Sequence, residues 1–330
     1  MNPTRSIGPV SPATDKALPA ARRTPRRLLG IVASIAPLVL ALLGCALNTQ
    51  VTKPANPPTA TPTPARPTVH EVARTAILNG GDTGPVVATC PQGEVALGGG
   101  WSVPTQGARV FAAMANSAAW SVSALPLGHP ATTQVTAYVE CLAGAPGAVV
   151  TQRAATANLA PTPTAIFNDN LGGTVSICTA GEALVGGGFD LGPTTANLEL
   201  EASWPRNDIP FFNEQAWVFS IRNYDVAPHT VTRYAECLSG VAVSASYPRQ
   251  EGSPVYASQS GSAVVSCPPG TALAGGGFMY RMHSPGNEHV GNLYSLNATT
   301  AGWHDEEYTL SGYGLYYLTP LAAAVCLSFS

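Results

Sequence analysis

Seven cysteines are the residues of this chain whose type and spacing point most directly to chemistry. Six of them fall into three spaced pairs: Cys90 and Cys141, Cys178 and Cys237, Cys267 and Cys326. Thiols can serve as nucleophiles, as zinc ligands or as cross-links. Zinc is disfavoured, because no Cys-x-x-Cys pair occurs and the six histidines do not recur in register with the cysteines. A nucleophile needs a histidine and an acid held around it, and no Gly-x-Ser-x-Gly supplies a serine alternative. Cross-linking is the use that remains.

One local cluster could do acid–base or metal chemistry: His283, Glu288, His289, His304, Asp305, Glu306 and Glu307. It would require two loops to converge, and we read it as a solvated acidic loop. No catalytic residue, metal or cofactor is assigned from the sequence. Triple glycines at Gly98–Gly100, Gly186–Gly188 and Gly275–Gly277 invite comparison with a phosphate cradle. Such a cradle needs a following helix and usually a lysine, whereas here an aromatic residue follows in a strand context. The glycines are expected to permit a bulge, or to let a neighbouring backbone or an indole ring come close.

The cysteines belong to an internal repeat. Cys90-Pro-Gln-Gly-Glu-Val-Ala-Leu-Gly-Gly-Gly-Trp101 aligns without a gap with Cys178-Thr-Ala-Gly-Glu-Ala-Leu-Val-Gly-Gly-Gly-Phe189 and Cys267-Pro-Pro-Gly-Thr-Ala-Leu-Ala-Gly-Gly-Gly-Phe278. Each unit continues with a second tryptophan segment (Trp120, Trp217, Trp303) and a closing cysteine. Six cysteines allow 15 pairings. A unit that could be copied was self-sufficient, and this selects pairing within each unit: Cys90 with Cys141, Cys178 with Cys237, Cys267 with Cys326. Closing loops of about 50 to 60 residues stabilises each unit by about 4 kcal/mol in the chain-entropy picture. Such bonds persist in an oxidising compartment.

The elements that carry these residues are strands. In Val135-Thr-Ala-Tyr-Val-Glu-Cys141 the residues Val135, Ala137, Val139 and Cys141 share one face, while Thr136, Tyr138 and Glu140 share the other. No amphipathic helix follows residue 44. Gly 33 and Pro 30 in 330 residues, with 11% charged, fit a turn-rich all-β chain. The expected fold is three tandem antiparallel β-sandwich or barrel-like modules with one disulfide each, at residues 70–147, 148–244 and 245–330. The alternative is one pseudo-threefold β body.

Aromatics that recur in register, Trp101, Phe189 and Phe278 and then Trp120, Trp217 and Trp303, read as core. Those that do not recur are the better ligand-binding candidates: Trp204, Tyr308, Tyr313, Tyr316 and Tyr317. If exposed on a neutral surface, they would suit sugar rings or a hydrophobic partner.

Arg22, Arg23, Arg26 and Arg27 precede an uncharged run from Leu28 to Gly44, the pattern of an export signal over residues 1–44. The run is shorter than the roughly 20 residues a membrane-crossing helix needs, and it contains Pro37. Its ending, Leu42-Leu43-Gly44-Cys45, resembles the lipobox of bacterial lipoproteins. The resemblance implies that Cys45 is acylated and becomes the mature N-terminus, so that the membrane is a partner through a lipid anchor; simple secretion is the alternative. Residues 45–69 then form a Pro/Thr-rich stalk extending about 3.1 Å per residue. From residue 46 onward the chain has 10 basic and 18 acidic residues, which speaks against nucleic acid as a partner.

The Cys-Pro-x-Gly opening, the Gly-Gly-Gly-aromatic run, the Trp strand and the Val-x-x-Tyr-x-x-Cys closing resemble a small disulfide-closed β-domain of bacterial cell-envelope proteins, including the ends of collagen-like chains. More distantly they are similar to tip-adhesin domains of conjugative pili. Unit two has Thr179 in place of the proline, and unit three lacks the closing tyrosine. The resemblance implies location and architecture, and no enzymatic role. The function expected is a non-enzymatic, membrane-anchored surface lipoprotein for adhesion, envelope structure or recognition of a glycan or surface protein. An exported hydrolase with a site in or beside the third unit is the alternative.

Overall fold

The strands expected from the two-residue alternation are realised, and the segments carrying the first two glycine runs, 95–102 and 183–190, are buried on both faces. The computed structural model describes residues 66–103, 108–116, 118–126, 132–161, 176–192, 198–206, 215–256, 260–282, 290–299, 302–309 and 317–330, with backbone alone at 199, 260, 281, 282, 290–299, 302–309 and 318, and these residues contain strands and no helix. The first repeat forms β1 (Thr68–Asn79), β2 (Val86–Thr89), β3 (Val95–Ser102), β4 (Ala108–Asn116), β5 (Ala119–Pro126) and β6 (Thr132–Ala143). The second repeats this order as β7 (Val149–Leu159), β8 (Ser176–Ile177), β9 (Ala183–Asp190), β10 (Leu198–Arg206), β11 (Ala216–Asn223) and β12 (His229–Ser239). In the third, the first strand is broken into β13 (Val243–Ser246), β14 (Arg249–Glu251) and β15 (Val255–Tyr256). They are followed by β16 (Ser260–Val265), β17 (Ala272–Met282), β18 (Val290–Thr299), β19 (Gly302–Thr309) and β20 (Tyr317–Phe329). The stalk reading to residue 69 overruns β1, and β13 begins ahead of the expected boundary at 245.

These strands do not close into separate modules. The sheets run β1-β6-β3-β18-β19-β16, β2-β5-β4-β9-β12-β7 and β13-β20-β17-β10-β11-β8, with β14 and β15 also on β20. Each sheet is half one repeat and half another. The joins are cyclic: Trp101 pairs with Leu296, Ala113 with Phe189, and Ser203 with Phe278. Residues 62–330 accordingly form one compact unit, a pseudo-threefold β body in which no repeat owns a whole sheet.

The triple glycines are the reason the repeats can interlock. A Cβ on Gly98 would lie 2.8 Å from the Ala274 carbonyl oxygen, one on Gly186 2.9 Å from Gly98 Cα, and one on Gly275 3.0 Å from the Val185 carbonyl oxygen. The first glycine of each run thus meets the other two at the centre. The second seats an indole, since a Cβ on Gly99 or Gly187 would overlap Trp120 or Trp217. The third passes under the exchanged strand, with Gly188 against Ala113 and Met114, and Gly277 against Ser203 and Trp204. Bulges beside Gly98, Gly186 and Gly275 complete the expected pattern.

The recurring aromatics are core. Trp101, Trp120, Phe189, Trp217 and Phe278 are all buried, and Trp101 meets Phe189 of the next repeat edge-on at 5.7 Å. The side chain of Trp303 lies outside the described residues. All three disulfides pair within repeats, with Cα–Cα distances of 5.6, 5.5 and 5.6 Å. Such bonds place the folded chain in an oxidising, extracytoplasmic setting.

Candidate functional site

Strand direction sorts the connections between two ends of the body. At one end Arg66 lies against Gly144, Gly147 touches Gly240, and the Ser330 amide donates to the Ala242 carbonyl. The incoming chain, both repeat junctions and the C-terminus therefore gather there. β1, β3 and β5 run away from this junction end and β2, β4 and β6 return, as do their counterparts. The connections after β1, β3 and β5, and their equivalents, hence leave from the opposite, distal end. Ile77, Val226 and Tyr256 are large apolar side chains exposed there, Val226 at 98%. Beside Val226, His229 Nε2 lies 2.6 Å from Asp225 Oδ2 across the turn into β12.

The predicted ligand-binding aromatics divide. Tyr317, at the distal start of β20, is half-buried, and its ring lies 5.8 Å from that of Tyr256. Tyr308 is placed on β19 opposite Ser260 by backbone register alone, and Tyr313 and Tyr316 lie outside the described residues. Cys45 does too, as do His283, Glu288 and His289. His304, Asp305, Glu306 and Glu307 occupy β19 without described side chains. Trp204 does not meet the condition of exposure set for a ligand-binding ring: it is 7% exposed, with the Arg249 guanidinium 4.1 Å above it. Its place on β10, next to the join with β17, is why it is covered.

That join exposes something the sequence did not indicate. Beyond Ala113 and Phe189 the pairing of β4 with β9 ends, and a depression on the second sheet follows. A cavity of about 390 Å³ lies there, lined by Met114, Asn116, Ser121, Val150, Gln152 and Glu236. Glu236 forms its floor and is fully buried. Gln152 Nε2 donates to Glu236 Oε1 at 3.0 Å and to the Ala115 carbonyl at 2.8 Å, bridging the two repeats. Glu236 Oε2 has no hydrogen-bond partner. Burial pushes the Glu236 carboxyl up to about 7, against the bonds from Gln152 and the Ala115 amide.

The same position is filled differently in each sheet. Register makes Glu140 of the first sheet and Val325 of the third the equivalents of Glu236, because each faces the first glycine of its run. Glu140 is buried, its Oε1 lacks a partner, and burial with the Glu71 charge opposite raises it to about 8. In the third sheet Trp204 and Pro205 stand where Met114 and Ala115 stand in the second, and Trp204 with Arg249 occupies the space.

No protein family and no curated protein matches this chain.

Two clusters have the composition of a metal site: His70, Glu94 and Cys141, and Cys178, Glu182 and Cys237. Their sulfurs are spent in disulfides, and Glu182 is engaged by Arg153, which holds its carboxyl below the usual range. Neither is a ligand set. No helix among the described residues is long and apolar enough to cross a membrane.

Proposed function

We propose that this chain is an exported, non-enzymatic recognition protein, tethered by acylated Cys45 and the stalk to residue 67, which presents the distal end of its body to a glycan or surface protein. The observation that carries this reading is the segregation of connections. The framework strands are copied three times, while the connections leaving the end opposite Arg66 differ in length and sequence between repeats. A rigid scaffold carrying variable connections on one face is the usual architecture of recognition. The lipobox-like ending at Cys45 and the basic, uncharged-run order of residues 1–44 supply the anchor and the export signal in this reading. Disulfide use agrees with the destination.

A hydrolase site at the Glu236 cavity, away from the third repeat where the sequence would put one, has less support. Glu236 has the proton affinity of a general acid, but among the described lining residues it is the one titratable group, and Ser121 has no histidine beside it. The test is a glycan array probed with the body from residue 66, run beside a hydrolase panel. Retention on defined glycans, lost when Tyr256 and Tyr317 are replaced by alanine, is the expected result. Turnover without retention overturns the proposal.

A further inference from the structure

We propose that the depression on the second sheet, floored by Glu236, is a binding site for an amino sugar carrying a free ammonium group. It lies on the flank of the body toward the junction end, so it stands or falls independently of recognition at the distal end.

Three observations carry the assignment. Glu236 is fully buried with Oε2 unpartnered, and such an oxygen is costly unless a donor completes it. Among the described residues no cationic side chain lines the cavity, so a counter-charge for ionised Glu236 comes from outside this lining. In the third sheet, where Val325 removes the carboxyl, the chain fills the equivalent space with its own cation and aromatic ring, Arg249 on Trp204. The first sheet also keeps a buried carboxyl, Glu140, and the second combines the carboxyl with the described cavity.

The remaining lining selects a sugar over a lysine or arginine side chain. A basic side chain would use the carboxylate and leave the Asn116 amide and the Ser121 hydroxyl without work, the Gln152 nitrogen already donating to Glu236 and Ala115. A pyranose presents one ammonium and several hydroxyls to these groups, and its C–H face to Met114 and Val150. The volume suits a ring of that size, being at the lower end of small-molecule pockets. Ammonium docking at Oε2 holds Glu236 ionised, and Gln152 keeps its bond to Oε1.

Calorimetric titration of the body from residue 66 with D-glucosamine, D-glucose, N-acetyl-D-glucosamine and N-acetyl-lysine methylamide decides it. Glucosamine should bind at least about tenfold more tightly than each of the others. E236Q should lose at least that factor while melting no lower than the parent, and S121A should lose a smaller one. A W204A variant still folded should bind as the parent does. Absent glucosamine binding, equal binding of glucose, or retained affinity in E236Q overturns the site. Tighter binding of the lysine derivative overturns the amino sugar in favour of a basic protein segment.

Discussion

Cys90 and Cys141 belong to one repeat but to two sheets: Cys90 follows β2 in the second sheet, and Cys141 lies within β6 in the first. The other bonds do the same, Cys178–Cys237 joining the third sheet to the second and Cys267–Cys326 the first to the third. Every pair of sheets is stapled once. Replacing Cys90 and Cys141 by serine should cost about 4 kcal/mol of stability, read from urea unfolding with all probes moving together. Loss confined to the first repeat would contradict the interlocked arrangement.

Strand exchange makes a single repeat incomplete. A fragment spanning 148–244 holds β7, β12 and β9 of one sheet and β10, β11 and β8 of another, each half lacking its complement. Expressed alone it should be unfolded or should associate into trimers that restore the missing joins. Sedimentation of a folded monomer would refute this.

Glycine substitutions should sort by what stands over them. Gly187→Ala drives a methyl into the Trp217 indole and should cost several kcal/mol, on the scale of overpacked cores. Gly93→Ala meets no atom but sits at φ 87°, and should cost about 1 kcal/mol. Gly84→Ala meets neither obstacle and should be close to neutral. Thermal melts of the three rank them.

The buried carboxyls set a pH dependence. Glu140 and Glu236 hold their protons to about 8 and about 7 in the folded chain, whereas both release them near 4.5 when unfolded. The folded state binds more protons between those values, so stability falls as pH rises from about 4.5 to about 8. The two groups together should account for a loss on the order of several kcal/mol. E140Q and E236Q should flatten the profile and be more stable than the parent at pH 8. Denaturant midpoints at pH 5 and pH 8 supply the comparison.

Trp204 acts as a plug and not as a ligand platform. W204A should lose about 3 to 5 kcal/mol of stability, and R249A about 1 kcal/mol. Both follow from equilibrium unfolding, and glycan retention by any variant still folded should be unchanged.

Much of this was legible in the residues. Period two predicts the strands, recurrence in register predicts that Trp101, Trp120 and Phe189 are core, and the repeat predicts the disulfide partners. What the sequence hides is which chain segment covers a strand's second face. Glu140 alternates with the inward Cys141 and shares the opposite face with Thr136 and Tyr138, yet it and Glu236 are both buried. The premise that a repeat folds by itself yields correct cysteine pairs for an incorrect reason, because a pair that joins two sheets looks the same in the sequence as one within a closed module. Trp204 reads as a ligand-binding candidate because it does not recur, but its neighbours come from residues some 70 positions away in β17 and from Arg249.

The chain comes in at Arg66 and continues directly into β1, whose whole length is laddered antiparallel to β6 from Thr68↔Ala143 to Asn79↔Thr132. Tension between a tether at that point and a ligand held at the far end would run along the strand axis, straining this row of bonds in shear rather than peeling them one at a time. Cys141, third from the end of the resisting strand on the junction side, hands the load covalently to the second sheet. A body tethered as proposed would be pulled by its root.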